Sequence, residues 1–378
     1  MAILLPQLKI LVGAIGAILI LTILWEAFET IILPRRVTRR FRLTRGFYRT
    51  TWQPYAAVAM KLKSPKTRER FLGYFGPLSL LMLLFVWALA LIFGFALLHW
   101  SIAPGLQVAS GGDGFWIAAY MSASTFCTLG LGDVTPITPA ARLITVFEAG
   151  TGFGFLALII SYLPVLYQAF SRREVNISLF DARAGSPPTA CELLRRHAEV
   201  DNILEVLTLL SDWEKWAADL MESHLSYPVL GWYRSQHDNQ SWISALTTIL
   251  DTCSLVILGI EGLPEWQARL TFAMARHVAV DMSQVFRIPP RPPAERLTVH
   301  EMENLRLSLA SVGLAVRDGA DSNEKLRRLR DMYEPYVNSL AVFLLMPLPP
   351  WLPEPKHTDN WQTSMWEHGC SGIGRKDV

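Results

Sequence analysis

Residues 113–136 read DGFWIAAYMSASTFCTLGLGDVTP, and the architecture of the chain depends on how this segment is interpreted. Its apolar part is too short to cross a bilayer, and a glycine-rich turn follows it. One interpretation is an extracellular loop with a short helix at the membrane surface. The other is a re-entrant helix and loop, which places non-helical backbone at membrane depth and is allowed only where it lines a watery path.

Three long apolar segments surround this one, at residues 8–33, 77–100 and 140–170. Each is long enough to cross a hydrocarbon core of roughly 30 Å at about 1.5 Å per helical residue. The second contains no Asp, Glu, Lys or Arg, and the third carries Arg142 and Glu148 in its first half. The pattern predicts three transmembrane helices in preference to core helices of a soluble protein.

The composition also indicates a membrane protein. Hydrophobic residues make up 51% and charged residues 18% of the chain, against roughly 45–50% and about 25% in soluble proteins. Almost all of the excess lies before residue 171. Four cysteines without metal-ligand spacing exclude a disulfide scaffold and a zinc ribbon. Lys9 is the only basic residue at the start of the first apolar segment, and no small-residue cleavage site follows it, so we interpret that segment as an anchor.

The charges of the loops predict the orientation in the membrane. The connection 101–114 has no Lys or Arg, whereas Arg172 and Arg173 follow the third segment directly. The loop between the first two segments sets a single acid, Glu69, against twelve basic residues, namely Arg35, Arg36, Arg39, Arg40, Arg42, Arg45, Arg49, Lys61, Lys63, Lys66, Arg68 and Arg70. Because positive loops stay in the cytoplasm, we expect the N-terminus outside and everything after residue 171 inside. The basic loop is also a candidate contact for anionic lipid headgroups.

Five residues of the short segment recur at a characteristic spacing: Thr125, Thr128, Gly130, Gly132 and Asp133. They resemble the selectivity-filter signature of the potassium channel family, Thr-x-x-Thr-x-Gly-Tyr/Phe-Gly-Asp. Leu129 stands where Val or Ile is commonest, and Leu131 stands where Tyr or Phe is commonest. A Gly-Leu-Gly filter is known among two-pore-domain members of this family, so the resemblance survives both departures.

The resemblance covers about residues 75–172 and continues on both sides of the filter. It places the aromatic residues Trp116 and Tyr120 on the pore helix and Pro136 after the filter. It also places Arg142 at the start of the inner helix, with three candidate hinge glycines after it, Gly150, Gly152 and Gly154. It implies a prokaryotic-type pore of two helices and a pore loop, extended by one N-terminal transmembrane helix. It also implies a homotetramer, because each chain has one pore loop.

The expected chemistry is that of a filter for K⁺. A dehydrated K⁺ ion needs a ring of oxygens in place of its water, and four chains can supply stacked rings of backbone carbonyls. The resemblance assigns these ion sites to Thr128, Leu129, Gly130 and Leu131, with the Thr128 hydroxyl at the inner mouth. Carbonyls can all point toward the axis if alternate residues are left-handed, which Gly130 and Gly132 allow. Asp113 is placed to cap the pore helix.

Three side chains leave alternatives open. Leu131 can pack behind the filter but cannot donate the hydrogen bond of the usual aromatic residue, so a poorly selective cation pore is the first alternative. Asp133 either pairs with a pore-helix neighbour or faces water. Glu148 is costly within a span unless it is paired, and the hydroxyls of Ser122 and Ser124 are its candidate partners, the alternative being an ordinary packing contact.

After Arg173 we expect a short β-tolerant segment, a break at residues 185–188 and then a helical domain. Helices are predicted around residues 213–225, 241–260, 264–286, 298–316 and 323–345. Residues 241–260 are apolar enough to suggest a fourth span, but Asp251 at their centre favours a buried helix. The tail from residue 347 is expected to be an extended arm with a disordered end.

The helical domain has no motif that indicates catalysis. No strand is followed by Gly-x-Gly-x-x-Gly, as a nucleotide-binding domain would require. His197 with Asp201, His237 beside Asp238, and His277 with Asp281 could form a hydrolase constellation, but such spacing is common by chance. We therefore predict no enzymatic activity, no catalytic residue, no cofactor beyond the permeant ion and no nucleic-acid partner.

The sequence thus predicts an all-α membrane protein with a tetrameric pore-loop domain and a helical cytoplasmic domain that gates it. The expected parts are residues 1–33, 34–70, 71–173, 174–188, 189–346 and 347–378: the N-terminal span, the basic loop, the pore domain, a linker, the helical domain and the tail. Besides the poorly selective pore, the remaining alternative is a membrane-anchored sensor or enzyme with a vestigial pore.

Overall fold

The structure is a computed structural model that describes residues 6–33, 42–108, 114–199, 202–237, 239–292, 295–353 and 359–362. Contacts divide the chain into two compact units. The first comprises Met1–Lys61 and Tyr74–Gln168, and the second comprises Leu62–Gly73 and Ala169–Val378. In the described residues the only strands are two short ones in the first unit, and helices form most of the rest.

The first unit is built around two long apolar helices, α1 (Pro6–Ala27) and α4 (Phe75–Ser101). They pack closely because two glycines remove side chains from their interface: a Cβ on Gly16 would lie 2.6 Å from the carbonyl oxygen of Gly94. Both helices are long and apolar enough to cross a membrane. Their exposed apolar side chains are therefore suited to contact with lipid or with other protein helices. Small residues at a close helix crossing are also typical of membrane helices.

The two acids at the end of the first span, Glu26 and Glu29, are buried. After α1, a single π-helical turn runs from Phe28 to Ile32. Glu26 accepts hydrogen bonds from the backbone amide and the hydroxyl of Thr44, at 3.2 and 2.9 Å. This carboxylate satisfies one of the free amides at the N-terminus of α2 (Leu43–Met60) and complements its helix dipole. Glu29 lies 3.9 Å from Arg42.

The remaining elements of the first unit surround the glycine-rich turn. Helix α5 (Phe115–Phe126) packs on α4, and α6 (Pro139–Ala184) begins after the turn. Strands β1 (Leu106–Val108) and β2 (Val134–Pro136) pair antiparallel, with Gln107 opposite Thr135. The sequence did not predict this small sheet, because three residues are too few to show a period of two.

In its described residues, the second unit consists of helices and the loops that connect them, with one isolated bridge between Ile260 and Val316. Its helices are α3 (Pro65–Gly73), the end of α6, α7 (Ala190–Glu199), α8 (Glu205–Ser226), α9 (Trp242–Gly259), α10 (Trp266–Phe286), α11 (Val299–Ala310), α12 (Ala320–Asp331) and α13 (Glu334–Leu344). Helix α9 is apolar enough to span a membrane, yet every side chain from Trp242 to Leu258 is buried. Asp251 pairs with Arg296 at 2.6 Å. This burial supports a core helix over a fourth span.

Three details of the second unit differ from the sequence expectation. Residues 174–184, expected to be β-tolerant, continue α6 as helix because Ile177 and Phe180 are buried at helical spacing. Residues 323–345 form two helices, α12 and α13, with a break at Tyr333. The helix expected over residues 298–316 ends at Ala310.

The first part of the tail is packed and not a free arm. Trp351 is almost completely buried, and the guanidinium groups of Arg296 and Arg330 lie 5.8 Å from the centre of its ring. Cation–π contacts of this kind stabilise a desolvated aromatic side chain. Asp359 is also buried and pairs with Arg196 at 2.8 Å. The end of the tail, which was predicted to be disordered, lies outside the described residues, as do all residues after 362.

Candidate functional site

The filter-like segment is held by the last turn of α5. The amide of Cys127 donates to the carbonyl of Ala123 at 3.0 Å, and the amide of Leu129 donates to the carbonyl of Ser124 at 2.8 Å. These bonds continue the helix for half a turn and then end it. The loop therefore starts from a fixed position at the C-terminus of α5, where the helix dipole is negative and favours a cation.

Left-handed backbone recurs at every second residue of this segment. The φ angles are 58° at Thr128, 58° at Gly130 and 80° at Gly132, while Leu129 and Leu131 have negative φ. The sequence predicted the left-handed conformation at the two glycines and missed it at Thr128. A β-branched residue rarely adopts positive φ, which costs on the order of 1–3 kcal/mol and occurs mainly at functional sites.

Residues 127–133 are exposed along their whole length in the single chain. The side chains of Leu129 and Leu131 are each 63% exposed, so neither packs into a core of its own chain. Between the thiol of Cys127 and the carboxyl of Asp133, the segment offers backbone oxygens and one hydroxyl, that of Thr128. Oxygen ligands of this kind can coordinate a hard cation.

The end of the segment is anchored by the small sheet. Strand β2 starts one residue after Asp133 and pairs with β1, and the amide of Ile137 donates to the carbonyl of Gly105 at 2.9 Å. The carboxyl of Asp133 interacts with the hydroxyl of Tyr120 on α5. This contact supports the first of the two alternatives for Asp133, pairing with a pore-helix neighbour.

The predicted pore-helix residues all lie on α5, on different faces. Trp116 is 82% exposed, Tyr120 is exposed toward Asp133, and Thr125 is half-buried in the last turn. Gly114 is the N-cap residue and makes no side-chain capping bond. The predicted cap, Asp113, lies outside the described residues.

The three predicted hinge glycines have unequal surroundings. A Cβ added to Gly152 would lie 2.2 Å from the carbonyl oxygen of Phe126, the last residue of α5. A Cβ added to Gly150 or Gly154 would meet no atom within 4 Å. Helix α6 is unbroken at all three positions. The geometry therefore gives Gly152 close packing against the pore helix, whereas the sequence indicated it only as a candidate hinge.

Glu148 lies in a buried polar cluster between three helices. Its Oε1 contacts the hydroxyl of Ser122 on α5, one of the two partners predicted, and its Oε2 lies 3.1 Å from Nε2 of His99 on α4. All three side chains are at most 1% exposed. His99 was missed because a lone histidine at the end of an apolar span shows no pattern, although Glu148 in a span required some partner.

Arg173 lies in the part of α6 that belongs to the second unit, and it contacts other residues of that unit. In the sequence this residue indicated only the orientation in the membrane. This residue is 2% exposed. Its guanidinium donates to the carbonyls of Leu230 and Tyr233, each at 2.9 Å, and pairs with Glu174 at 2.8 Å. A buried arginine of this kind needs several acceptors to offset its desolvation.

Two of the histidines considered for catalysis have a contact within their own helix. His277 Nε2 lies 3.5 Å from Asp281 on the same helix, and His197 Nδ1 contacts the carbonyl of Leu193 at 2.7 Å. Asp201 and Asp238 lie outside the described residues. Within the part of the chain that the structure describes, no group of three or more His, Cys, Asp or Glu side chains could hold a metal ion.

Comparison with known proteins finds channels. Residues 81–168, which begin within α4 and end within α6, match a family described as ion channel. A similar curated protein is two pore potassium channel c from Oryza sativa subsp. japonica, 38% identical over 64 residues. That match covers 16% of this chain and 14% of the relative, well under two thirds of its length. No solved structure matches the chain significantly.

Proposed function

We propose that the protein is a K⁺-selective channel, because residues 81–168 of this all-α membrane protein match an ion channel family and part of the chain is similar to a two pore potassium channel. The observation that carries the proposal is the alternation of left-handed residues at Thr128, Gly130 and Gly132. Such alternation allows successive carbonyl oxygens to face the same side of the chain. A row of carbonyls on one side is the element from which K⁺ sites are built.

The pore is closed by four copies of the chain. One copy supplies one row of oxygens, whereas a dehydrated K⁺ ion needs a complete ring at each site. The exposure of residues 127–133 in the single chain supports assembly, because apolar side chains there have no partner within their own chain that buries them. The K⁺ sites are the carbonyls of Thr128, Leu129, Gly130 and Leu131, and the Thr128 hydroxyl forms the innermost ring.

The N-terminus and the outer end of the filter lie on the same side of the membrane. Nζ of Lys9 donates to the carbonyl of Ala103 at 2.8 Å, which joins the start of α1 to the connection between α4 and α5. With the filter mouth outside, this contact supports an external N-terminus. The basic residues between Arg35 and Arg70 then face the cytoplasm, where anionic headgroups are their proposed partners. Of these residues, Arg35, Arg36, Arg39 and Arg40 lie outside the described residues.

The helical domain gates the pore through α6. This helix has 46 residues, about 69 Å at 1.5 Å per residue, more than twice the roughly 30 Å of the hydrocarbon core. Its last part belongs to the second unit, where Arg173 fixes it to the segment that follows α8. Any movement of that unit therefore acts on a helix that continues into the pore domain without a break.

The test is ion flux from purified protein in liposomes under opposed K⁺ and Na⁺ gradients. We expect a reversal potential set by K⁺. A potential near zero would support the poorly selective pore, for which the exposed Leu131 is the structural argument. No current at any potential would support the vestigial pore.

A glycine variant connects that flux to the filter. Gly130→Ala adds a Cβ at φ 58°, at a cost of about 1–2 kcal/mol per subunit. Repeated around one axis, this strain should distort the carbonyl rings and abolish K⁺ flux at matched protein. Gly150→Ala is the control, since its Cβ meets no atom within 4 Å of its own chain and its helix tolerates alanine. Undiminished flux in Gly130→Ala would remove the filter assignment.

A further inference from the structure

The contacts of the buried cluster around Glu148 define where its protons are. Four groups form a chain of contacts, in this order: Nε2 of His99, the carboxyl group of Glu148, the hydroxyl of Ser122 and the carbonyl oxygen of Ile92. They lie on α4, α6 and α5 and return to α4. All belong to the first unit, and the three side chains are excluded from solvent.

The hydroxyl of Ser122 carries one hydrogen but contacts two oxygens. It donates to the carbonyl of Ile92 at 2.7 Å, and that carbonyl can only accept. The contact between Ser122 and Oε1 of Glu148 is then a hydrogen bond only if the carboxyl group supplies the hydrogen. If Glu148 were ionised, the Ser122 hydroxyl could donate to only one of its two neighbours, Glu148 or Ile92. The Ser122 oxygen would then contact the other acceptor with no hydrogen between them.

His99 leads to the same assignment. Its Nδ1 is buried and has no hydrogen-bond partner among the described residues. In the imidazolium ion this atom would be a charged donor without an acceptor, which is costly in a low-dielectric interior. In the neutral ring with hydrogen on Nε2, it is only an unused acceptor. Nε2 then donates to Oε2 of Glu148.

We propose that Glu148 is a neutral carboxylic acid that positions the pore helix: it accepts from His99 and donates to Ser122, which donates to Ile92. Every contact in this arrangement has one hydrogen, all in the same direction. Ser122 lies one turn before the residues from which the filter loop starts, so the arrangement fixes the last turn of α5 against both neighbouring helices. This role rests on the proposed channel function, whereas the protonation state does not.

The protonation state is tested by difference infrared spectroscopy on the full chain at neutral pH, parent against Glu148→Gln. We expect the parent to show the carbonyl stretch of a protonated carboxyl group, and the variant to lack it. Carboxylate bands in the difference spectrum would overturn the proposal. This measurement is decisive even if the parent conducts no ions, in which case the proposed channel function fails by itself.

The positioning role is tested by flux in two variants of the same residue. Glutamine has the shape of a neutral Glu148 and can both accept from His99 and donate to Ser122, so Glu148→Gln should retain parental K⁺ flux. Glu148→Leu leaves both partners unsatisfied and should lose at least about tenfold in flux. Ser122→Ala, which removes one link, should fall between them. Equal impairment of the Gln and Leu variants, or parental flux in the Leu variant, would overturn the role.

Discussion

At position 152 the absence of a side chain brings two functional elements into contact. The backbone of Gly152 in α6 lies against the carbonyl group of Phe126, where α5 ends and the filter loop starts. A Cβ added to Gly150 or Gly154 would meet no atom within 4 Å. The close approach at Gly152 makes the inner helix a support for the end of the pore helix.

We therefore expect Gly152→Ala to perturb the filter. A Cβ 2.2 Å from the carbonyl oxygen of Phe126 must displace one of the two helices, and overpacking of this kind costs about 1–3 kcal/mol per subunit. K⁺ flux in liposomes and the temperature of thermal unfolding should both decrease. Gly154→Ala, two residues along the same helix and without a neighbour, should leave both unchanged or slightly raise the unfolding temperature.

A hinge role predicts a different result for the same pair. Gly152→Ala would then lower open probability in single-channel recordings while the unfolding temperature and the K⁺ over Na⁺ selectivity stayed at parental values. Both variants should be measured at matched reconstitution, so that a loss of assembled protein is not taken for a loss of opening.

At the scale of elements, α6 links the two units, and two adjacent arginines on it have opposite surroundings. Arg173 is buried and satisfies two carbonyls and Glu174. The side chain of Arg172 is 64% exposed and lies 3.7 Å from the half-exposed Asp219. The first attaches α6 to the second unit, and the second is a surface ion pair.

Arg173→Gln and Arg172→Gln separate attachment from surface charge. Arg173→Gln leaves buried acceptors unpaired and should destabilise the second unit by about 1–3 kcal/mol, while Arg172→Gln should cost about 0–1 kcal/mol. Thermal unfolding of the reconstituted protein measures the difference. In liposomes, Arg173→Gln should alter open probability and keep K⁺ selectivity, because the filter is untouched. Equal effects of the two variants would refute a specific attachment by Arg173.

At the scale of the whole molecule, the second unit contains a histidine that is unsuited to acid. His224 on α8 is fully buried, and its Nε2 lies 3.2 Å from the guanidinium of Arg173. Burial first, and then the charge of Arg173, hold the pKa of the His224 imidazole well below its usual value. The folded chain therefore keeps this ring neutral.

This shift predicts that the second unit loses stability in mild acid. Below about pH 6.5 the unfolded chain binds a proton at His224 that the folded chain does not, so the free energy of unfolding decreases as the pH falls from there toward the lower folded pKa. Thermal unfolding, followed by tryptophan fluorescence from about pH 7.5 to about pH 5.5, should show a steeper decrease in the parent than in His224→Gln. The other histidines are common to both proteins, so equal slopes would contradict the prediction.

Features carried by local runs of residues could be predicted from the sequence. The spans, the position of the pore helix and the left-handed conformation at Gly130 and Gly132 follow from apolar length and from residues that allow positive φ. The resemblance of Thr125–Asp133 to a potassium channel filter, with the family match of residues 81–168, identified the class of protein. A partner for Glu148 could be anticipated, since a charged group in a span is costly alone.

Features that join distant residues were decided only by the tertiary structure. His99 meets Glu148 across 49 residues and Arg173 meets Leu230 across 57, and no local period encodes such separations. The sequence indicated Gly152 as a candidate hinge, and the structure shows that it lies against Phe126. Only the packing of the folded chain shows which atoms lie where the Cβ of a larger residue would be. Thr128 adopts a left-handed conformation against its own preference, since bonds to the end of α5 and to the small sheet constrain the loop from both ends. Local preference is worth about 1 kcal/mol per residue, and tertiary contacts exceed it wherever several act on one residue.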